Sequence, residues 1–159
     1  MSSYESDLAL ALRLADLADS IALPRFLAQD LVVETKPDAS PVTDADRSVE
    51  GALKQVLSEE RPDDALIGEE FGNTGSGSRT WIIDPIDGTA NFMRGVPVWG
   101  ALIALAVDGK PVLSVVSAPA LGRRWWAAPG VGAHTRDVDG AERSIRVSQV
   151  STLEHASLS

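Results

Sequence analysis

The sequence predicts a single α+β domain, in which a pair of helices packs on a mostly antiparallel sheet. Helical periodicity is confined to the stretch before Arg61. After Asp64 the chain breaks into short apolar runs separated by Gly, Pro and Asp, the spacing of strands and turns. Helices followed by strands, without regular alternation, give α+β layering. No internal repeat or linker divides the 159 residues, which suffice for one domain with a real core.

The first helix is predicted from Leu8 to about Leu23. Arg13, Asp16 and Ser20 share one face and Leu, Ala and Ile fill the rest, so the helix is largely buried. Pro24 kinks or ends it. Leu31 to Thr35 reads as a short strand, and "KPDASPVT" as a loop. A second helix starts near Thr43 and runs to Glu60, where "RPDD" stops it. Ala65 to Ile67 is a short strand ending in "GEE", and Phe71 to Ser78 is a Gly/Ser-rich flexible loop. That loop is no P-loop, since neither a Lys nor a helix signal follows.

The segment "WIIDPIDGTANF" begins as a buried strand and then turns acidic. Beyond it, "VWGALIALAV" and "PVLSVVSAP" flank Asp108-Gly109, a strong hairpin signal. "RRWWAAP", "GVGAHTR" and "RSIRVS" continue as shorter strands.

Composition narrows the chemistry. Hydrophobic residues make up 44% and charged residues 23%, as in globular proteins. Cysteine is absent, which excludes disulfides, thiolate metal sites and Cys nucleophiles. The formal net charge of -9 disfavours nucleic acid and favours a cation as partner. The N-terminus has no basic region before its apolar run, and charges break that run, so neither a leader nor a membrane span is expected. A cytoplasmic location is the default expectation.

Acidic side chains cluster at two strand ends: Glu69 and Glu70 after "LIG", Asp84 and Asp87 after "WII". Carboxylates this dense repel one another unless a cation lies between them, and hard oxygen donors suit Mg²⁺. Pro85 holds Asp84 extended. The Ile86 carbonyl points with the carboxylates while its side chain turns to the core. Gly88 permits a sharp turn, after which the N–H groups of Gly88, Thr89 and Ala90 face an anion. Metals beside an anion cradle suggest a phosphate ester, whose hydrolysis two metals would assist by polarising the phosphoryl group and acidifying water. Taken singly, "DPIDG" is also an ordinary surface turn and "GEE" a solvated pair. The apolar strand before each decides between the readings. Thr43 with Asp46 resembles a capping box, which by itself explains both residues. The alternative is that Asp46 reaches Thr89 and helps its hydroxyl deprotonate the attacking water.

"GEE", "WIIDPIDGTANF", "GVPVWGALIALAVDGKPVLSVVSAPAL" and "GVGAH" resemble the inositol monophosphatase superfamily of Mg²⁺-dependent, lithium-sensitive phosphatases. The resemblance implies the layered α/β sandwich of that family. It implies that Glu69 and Asp84 hold one metal and that Asp84, the Ile86 carbonyl and Asp87 surround a pair. It makes Gly88, Thr89 and Ala90 the phosphate cradle, with Glu69, Ile86 and Asp87 also facing substrate. It makes Asp46 and Thr89 the water-activating pair, and Glu70 a glutamate acting through metal-bound water. The Gly/Ser loop resembles the family's mobile metal loop. "VSAPALGRRWWAA" is most similar to the bacterial histidinol-phosphate phosphatase branch. There Arg123 to Trp126 serves as a branch marker, or more simply as a strand with one Trp on each face.

Members of the family continue into a second α/β layer whose W-D motif supplies a further aspartate, and that motif is absent here. The expectation is an N-terminal metal- and phosphate-binding part spanning 1–159, with exposed apolar surface that favours homo-oligomers. The expected substrate is histidinol phosphate, with a second inositol or sugar phosphate class as rival. A chain that binds metal or phosphate without turnover is the alternative of another kind.

Overall fold

A computed structural model describes residues 4–157. Two helices, α1 (Glu5–Arg25) and α2 (Asp44–Glu60), lie on one face of an eight-stranded sheet. Between them, β1 (Val33–Thr35) and β2 (Pro41–Thr43) form a separate hairpin. The sheet then takes β3 (Ala65–Gly68), β4 (Asn73–Thr74), β5 (Arg79–Asp87), β6 (Gly100–Val107) and β7 (Lys110–Ala118). It closes with β8 (Arg123–Ala128), β9 (Gly132–Arg136) and β10 (Glu142–Ile145). A one-and-a-half-turn helix, α3 (Thr89–Met93), leaves the end of β5.

The strand order is β10-β9-β8-β7-β6-β5-β3-β4, and only β3 and β5 run parallel. The α+β expectation and the mostly antiparallel sheet therefore hold. The β6–β7 turn at Asp108-Gly109 has φ of 50° and 74°, the doubly left-handed turn that the dipeptide favours.

Two expected loops are partly paired. "KPDASPVT" contributes β2, because Pro41 to Thr43 can pair with β1 through the tight turn at Lys36–Ser40. The Gly/Ser stretch contributes β4, where Asn73 and Thr74 fold back on β3 after the left-handed Gly72. Pro24 does not end α1. It sits in the last turn, and the helix stops one residue later.

The core lies between the helices and the strand residues that face them. Leu10, Leu14 and Ala18 of α1 and Val49 and Leu53 of α2 meet Trp81, Ile83, Ile103, Leu105 and Val115 of the sheet. Strand residues alternate in direction. The opposite face therefore carries Ile82, Asp84, Leu102, Ala104 and Val116, which line a shallow and mostly apolar trough. Asp84 stands at the rim of that uncovered face.

Buried charges tie the layers together. Arg124 is 3% exposed, and its guanidinium donates to Asp16, Asp19 and the Ser117 hydroxyl. A strand residue from "RRWW" thus clamps α1 to the sheet. Trp125 and Trp126 take opposite faces: Trp125 lines a cleft beside Asp87, and Trp126 packs on the core side and stacks on His134. Asp7 of α1 accepts from Arg61 and Arg79, while Asp64 accepts from Arg79 and the Trp81 indole N–H.

Candidate active site

The site forms where β3, β5, the start of α2 and the start of α3 converge. β5 carries the acidic segment out of the sheet through a bulge: Asp84 still pairs with Leu102, but Asp87 pairs with Gly100. One extra residue on β5 bends the strand. Pro85 and Ile86 fill the bend with buried side chains. Asp84 and Asp87 remain on its two sides. Ile86 is 1% exposed, so its side chain does turn to the core while its carbonyl faces Thr89.

Gly88 follows in the left-handed region with φ 88°, and α3 begins at Thr89. A Cβ on Gly88 would lie 3.1 Å from the Val98 carbonyl, so the turn needs glycine for both conformation and space. The N–H groups of Asn91 and Phe92 both bond Gly88 O. The amides that precede them at the helix start lack intrahelical acceptors and suit an anion. Phe92 seats α3 against Phe26 and Trp99, with ring centroids 5.6 and 4.8 Å away.

Asp46 joins this turn from α2. One of its oxygens, Oδ2, accepts from Thr43 N at 2.8 Å and from the Thr43 hydroxyl. The Thr43 hydroxyl oxygen in turn accepts from the backbone at Ala45 and Asp46, completing a capping box. The other oxygen, Oδ1, lies 3.2 Å from Thr89 Oγ1. Thr89 Oγ1 is also 3.1 Å from the Ile86 carbonyl, so its one proton has two acceptors. Capping and contact with Thr89, set as alternatives by the sequence, are both made, one by each oxygen. Burial raises the pKa of Asp46, and the Thr43 and Thr89 hydrogen bonds oppose that shift. A raised carboxylate is the better proton acceptor.

The carboxylates that were expected to share a metal are unevenly assembled. Glu69 and, less strongly, Asp87 are the acidic neighbours that act on Asp84. Burial first, then the Glu69 contact, push the Asp84 carboxyl up to about 8. Its Oδ1 is buried and has no hydrogen-bond partner. Glu69 and Glu70 instead share the Lys36 ammonium, at 2.6 Å from each. Among the described residues, no three acidic or histidine side chains stand close enough together to hold a metal as they are. The expected four-donor cluster of Glu69, Asp84, Ile86 and Asp87 is therefore not closed.

A hard cation nevertheless fits the donors present. The orphaned Asp84 oxygen, the Glu69 carboxylate and the Ile86 carbonyl are all oxygen ligands of the type Mg²⁺ takes. Beside them a cleft of ≈ 310 Å³ is lined by Asp87, Gly88, Asn91, Val98, Trp99 and Trp125, among others.

Two site residues escaped the sequence reading. Lys36 lies in the stretch that reads as a loop, and no local pattern announces its role. Glu50 is fully buried and accepts from the backbone N–H groups of Glu70 and Phe71 at 2.7 and 2.9 Å. Its signal was available: an acidic residue on the apolar face of α2, one turn after Asp46.

A profile of the inositol monophosphatase family matches residues 3–159. A histidinol-phosphatase from Mycobacterium tuberculosis is 59% identical over 155 residues, covering 96% of this chain and 59% of the relative. One from Streptomyces coelicolor is 56% identical, over 99% of this chain and 60% of the relative. The chain thus spans about 60% of the length of these curated relatives. A solved inositol monophosphatase from Zymomonas mobilis superposes with TM-score 0.79 at 40% identity, over 98% of this chain and 58% of the other. The bulged acidic strand end, the left-handed glycine turn and the family match over residues 3–159 lead to one conclusion: the chain belongs to the inositol monophosphatase family.

Proposed function

We propose that this chain carries the metal- and phosphate-binding site of a Mg²⁺-dependent phosphomonoesterase that acts on histidinol phosphate, releasing histidinol and phosphate in histidine biosynthesis. The observation that carries the reading is the pairing of Asp46 with Thr89 at the mouth of the glycine turn, beside a buried Asp84 oxygen that lacks a partner. The high identity to proteins named histidinol-phosphatase supports the substrate.

Glu69, Asp84, Asp87 and the Ile86 carbonyl would hold Mg²⁺, which supplies Lewis acidity toward the phosphoryl group and the attacking water. Gly88, Thr89 and Ala90 receive the phosphate oxygens on backbone N–H groups. The Thr89 hydroxyl orients the attacking water and relays its proton to Asp46 Oδ1. The water oxygen forms the new bond to phosphorus as the ester P–O bond breaks; its electron pair stays on the histidinol oxygen, which takes a proton from solvent water, and no covalent intermediate with the protein forms. Glu70, held by Lys36, acts from behind Glu69.

The reading extends to a cytoplasmic enzyme that takes a small phosphate ester rather than nucleic acid, in keeping with the net charge of -9. No helix among the described residues is long and apolar enough to cross a membrane. The trough around Ile82 and Leu102 supports association of copies through that face. The Lys36 tie across Glu69 and Glu70 favours a second reading, a chain that binds phosphate and metal without turnover.

Phosphate release from histidinol phosphate and from inositol monophosphate, with Mg²⁺ and with chelator, tests both readings. Metal-dependent release from histidinol phosphate is expected. Release from inositol monophosphate alone would overturn the substrate. Mg²⁺ binding with no release from either would favour the second reading.

A further inference from the structure

We infer that Glu50 is the positioning residue of the loop that presents Glu69 and Glu70, an inference that rests on the metal-site reading above. Three observations carry it. Glu50 is 0% exposed, yet both its oxygens are used, Oε2 by Glu70 N at 2.7 Å and Oε1 by Phe71 N at 2.9 Å. A buried carboxylate is costly unless it is bonded, and here the bonds come from the backbone of the acidic loop rather than from a cationic side chain.

The second observation comes from the other side of the contact. A Cβ built on Gly68 would fall 2.0 Å from Glu50 Oε1. Gly68 has an ordinary negative φ. Close approach to Glu50, not backbone conformation, is thus what the first residue of "GEE" provides. The third is the seat beyond the carboxylate. Phe71 lies over Gly51, where an added Cβ would touch its ring edge at 3.7 Å, and the Lys54 ammonium sits 5.9 Å from the ring centroid. Glu50, Gly51 and Lys54 of α2 therefore grip residues 70 and 71 from one side.

Asp46 and Glu50 are one helical turn apart on the same side of α2. That helix holds Thr89 through Asp46 and the acidic loop through Glu50, which sets the spacing between the proton acceptor and the metal ligands. Both Glu50 oxygens are taken up by the Glu70 and Phe71 N–H groups. Glu50 acts through the backbone that carries Glu69 and Glu70, as outer partners of metal ligands commonly do.

The test uses the whole chain with Glu50→Gln, which keeps the size but turns one acceptor into a donor. Amide exchange by NMR is expected to speed up about tenfold or more at Glu70 and Phe71, the loss of a charge-assisted bond. Exchange at Leu53 in the same helix should stay within about twofold of wild type. Mg²⁺ affinity by calorimetry is expected to fall about 10- to 100-fold. Gly68→Ala, which pushes on Glu50 from the loop, should lower Mg²⁺ affinity likewise. Glu50→Ala combined with Gly68→Ala should be no worse than Glu50→Ala alone, because the clash is gone.

Unchanged exchange at Glu70 and Phe71 overturns the inference, as does loosened exchange with wild-type Mg²⁺ affinity. If Glu50→Gln does not fold, Gly68→Ala decides through the same two readouts. A wild-type chain that binds no Mg²⁺ would defeat the metal-site reading instead, and the exchange arm would still decide whether Glu50 holds the loop.

Discussion

The two oxygens of Asp46 make a prediction that separates stability from catalysis. Thr43→Val removes a hydroxyl from a residue that is 1% exposed, with little change of shape. The helix loses its cap, typically about 1 kcal/mol. Asp46 Oδ2 loses a charge-assisted donor as well, about 1.5–3 kcal/mol. The sum is about 3 kcal/mol, and at about 2–4 °C per kcal/mol for a chain of this size the melting temperature should fall about 6–12 °C. Thr89→Val removes one longer bond, 3.2 Å, from a half-buried hydroxyl and should cost about 1 kcal/mol, or about 2–4 °C. The catalytic ranking runs the other way. Thr89→Val should lower kcat about 10²- to 10⁴-fold, the range for a lost proton-transfer group, while Thr43→Val should hold kcat within about tenfold. Thermal melts followed by Trp fluorescence give the first ranking. Phosphate release below both melting points gives the second. Equal melting losses in the two variants, or equal kcat losses, would refute the division of labour between the oxygens.

Arg124→Met should destabilise the chain by about 3 kcal/mol, the low end for breaking a buried ion pair, because the Asp16 end of the cluster is exposed. Urea midpoints measure this, and Asp19→Asn in the same background should recover part of the loss; a shift under about 0.5 kcal/mol would count against the clamp. Asp84 links metal, protons and stability. Its carboxyl is raised from 3.8 to about 8, so the folded chain holds an extra proton between those values. The contribution to stability is full below 3.8 and is lost progressively as pH rises to about 8. At pH 7, Mg²⁺ binding should release about one proton, fading above pH 9, as buffer-dependent calorimetric heats would show. Asp84→Asn should abolish turnover, keep the fold and flatten the stability profile across that window, and near-normal turnover would remove Asp84 from the mechanism.

Much of this was legible in local sequence. The α2 start at Thr43, its stop before Arg61, the β6–β7 hairpin and the strand-to-turn passage from Trp81 to Ala90 all follow from rules acting over a few residues. Such rules are strong because capping, left-handed turns and strand alternation depend on neighbours along the chain. The pairing of "PVT" with β1 and of Asn73-Thr74 with β3 was not legible, since short polar segments pair only when a partner edge is present.

The sequence by itself determined which chemistry was available. It supplied hard oxygen donors at two strand ends, a glycine that turns the chain after Asp87, and no thiol. The tertiary structure decided how those groups are used. It gave Asp46 two simultaneous duties, placed Lys36 between Glu69 and Glu70, buried Glu50 under the loop it holds, and made Arg124 a clamp on α1. Most of these bonds join residues more than a dozen positions apart, up to 108 for Arg124 and Asp16. Their direction and distance come from how helices stack on the sheet, a property that no local pattern of residues encodes.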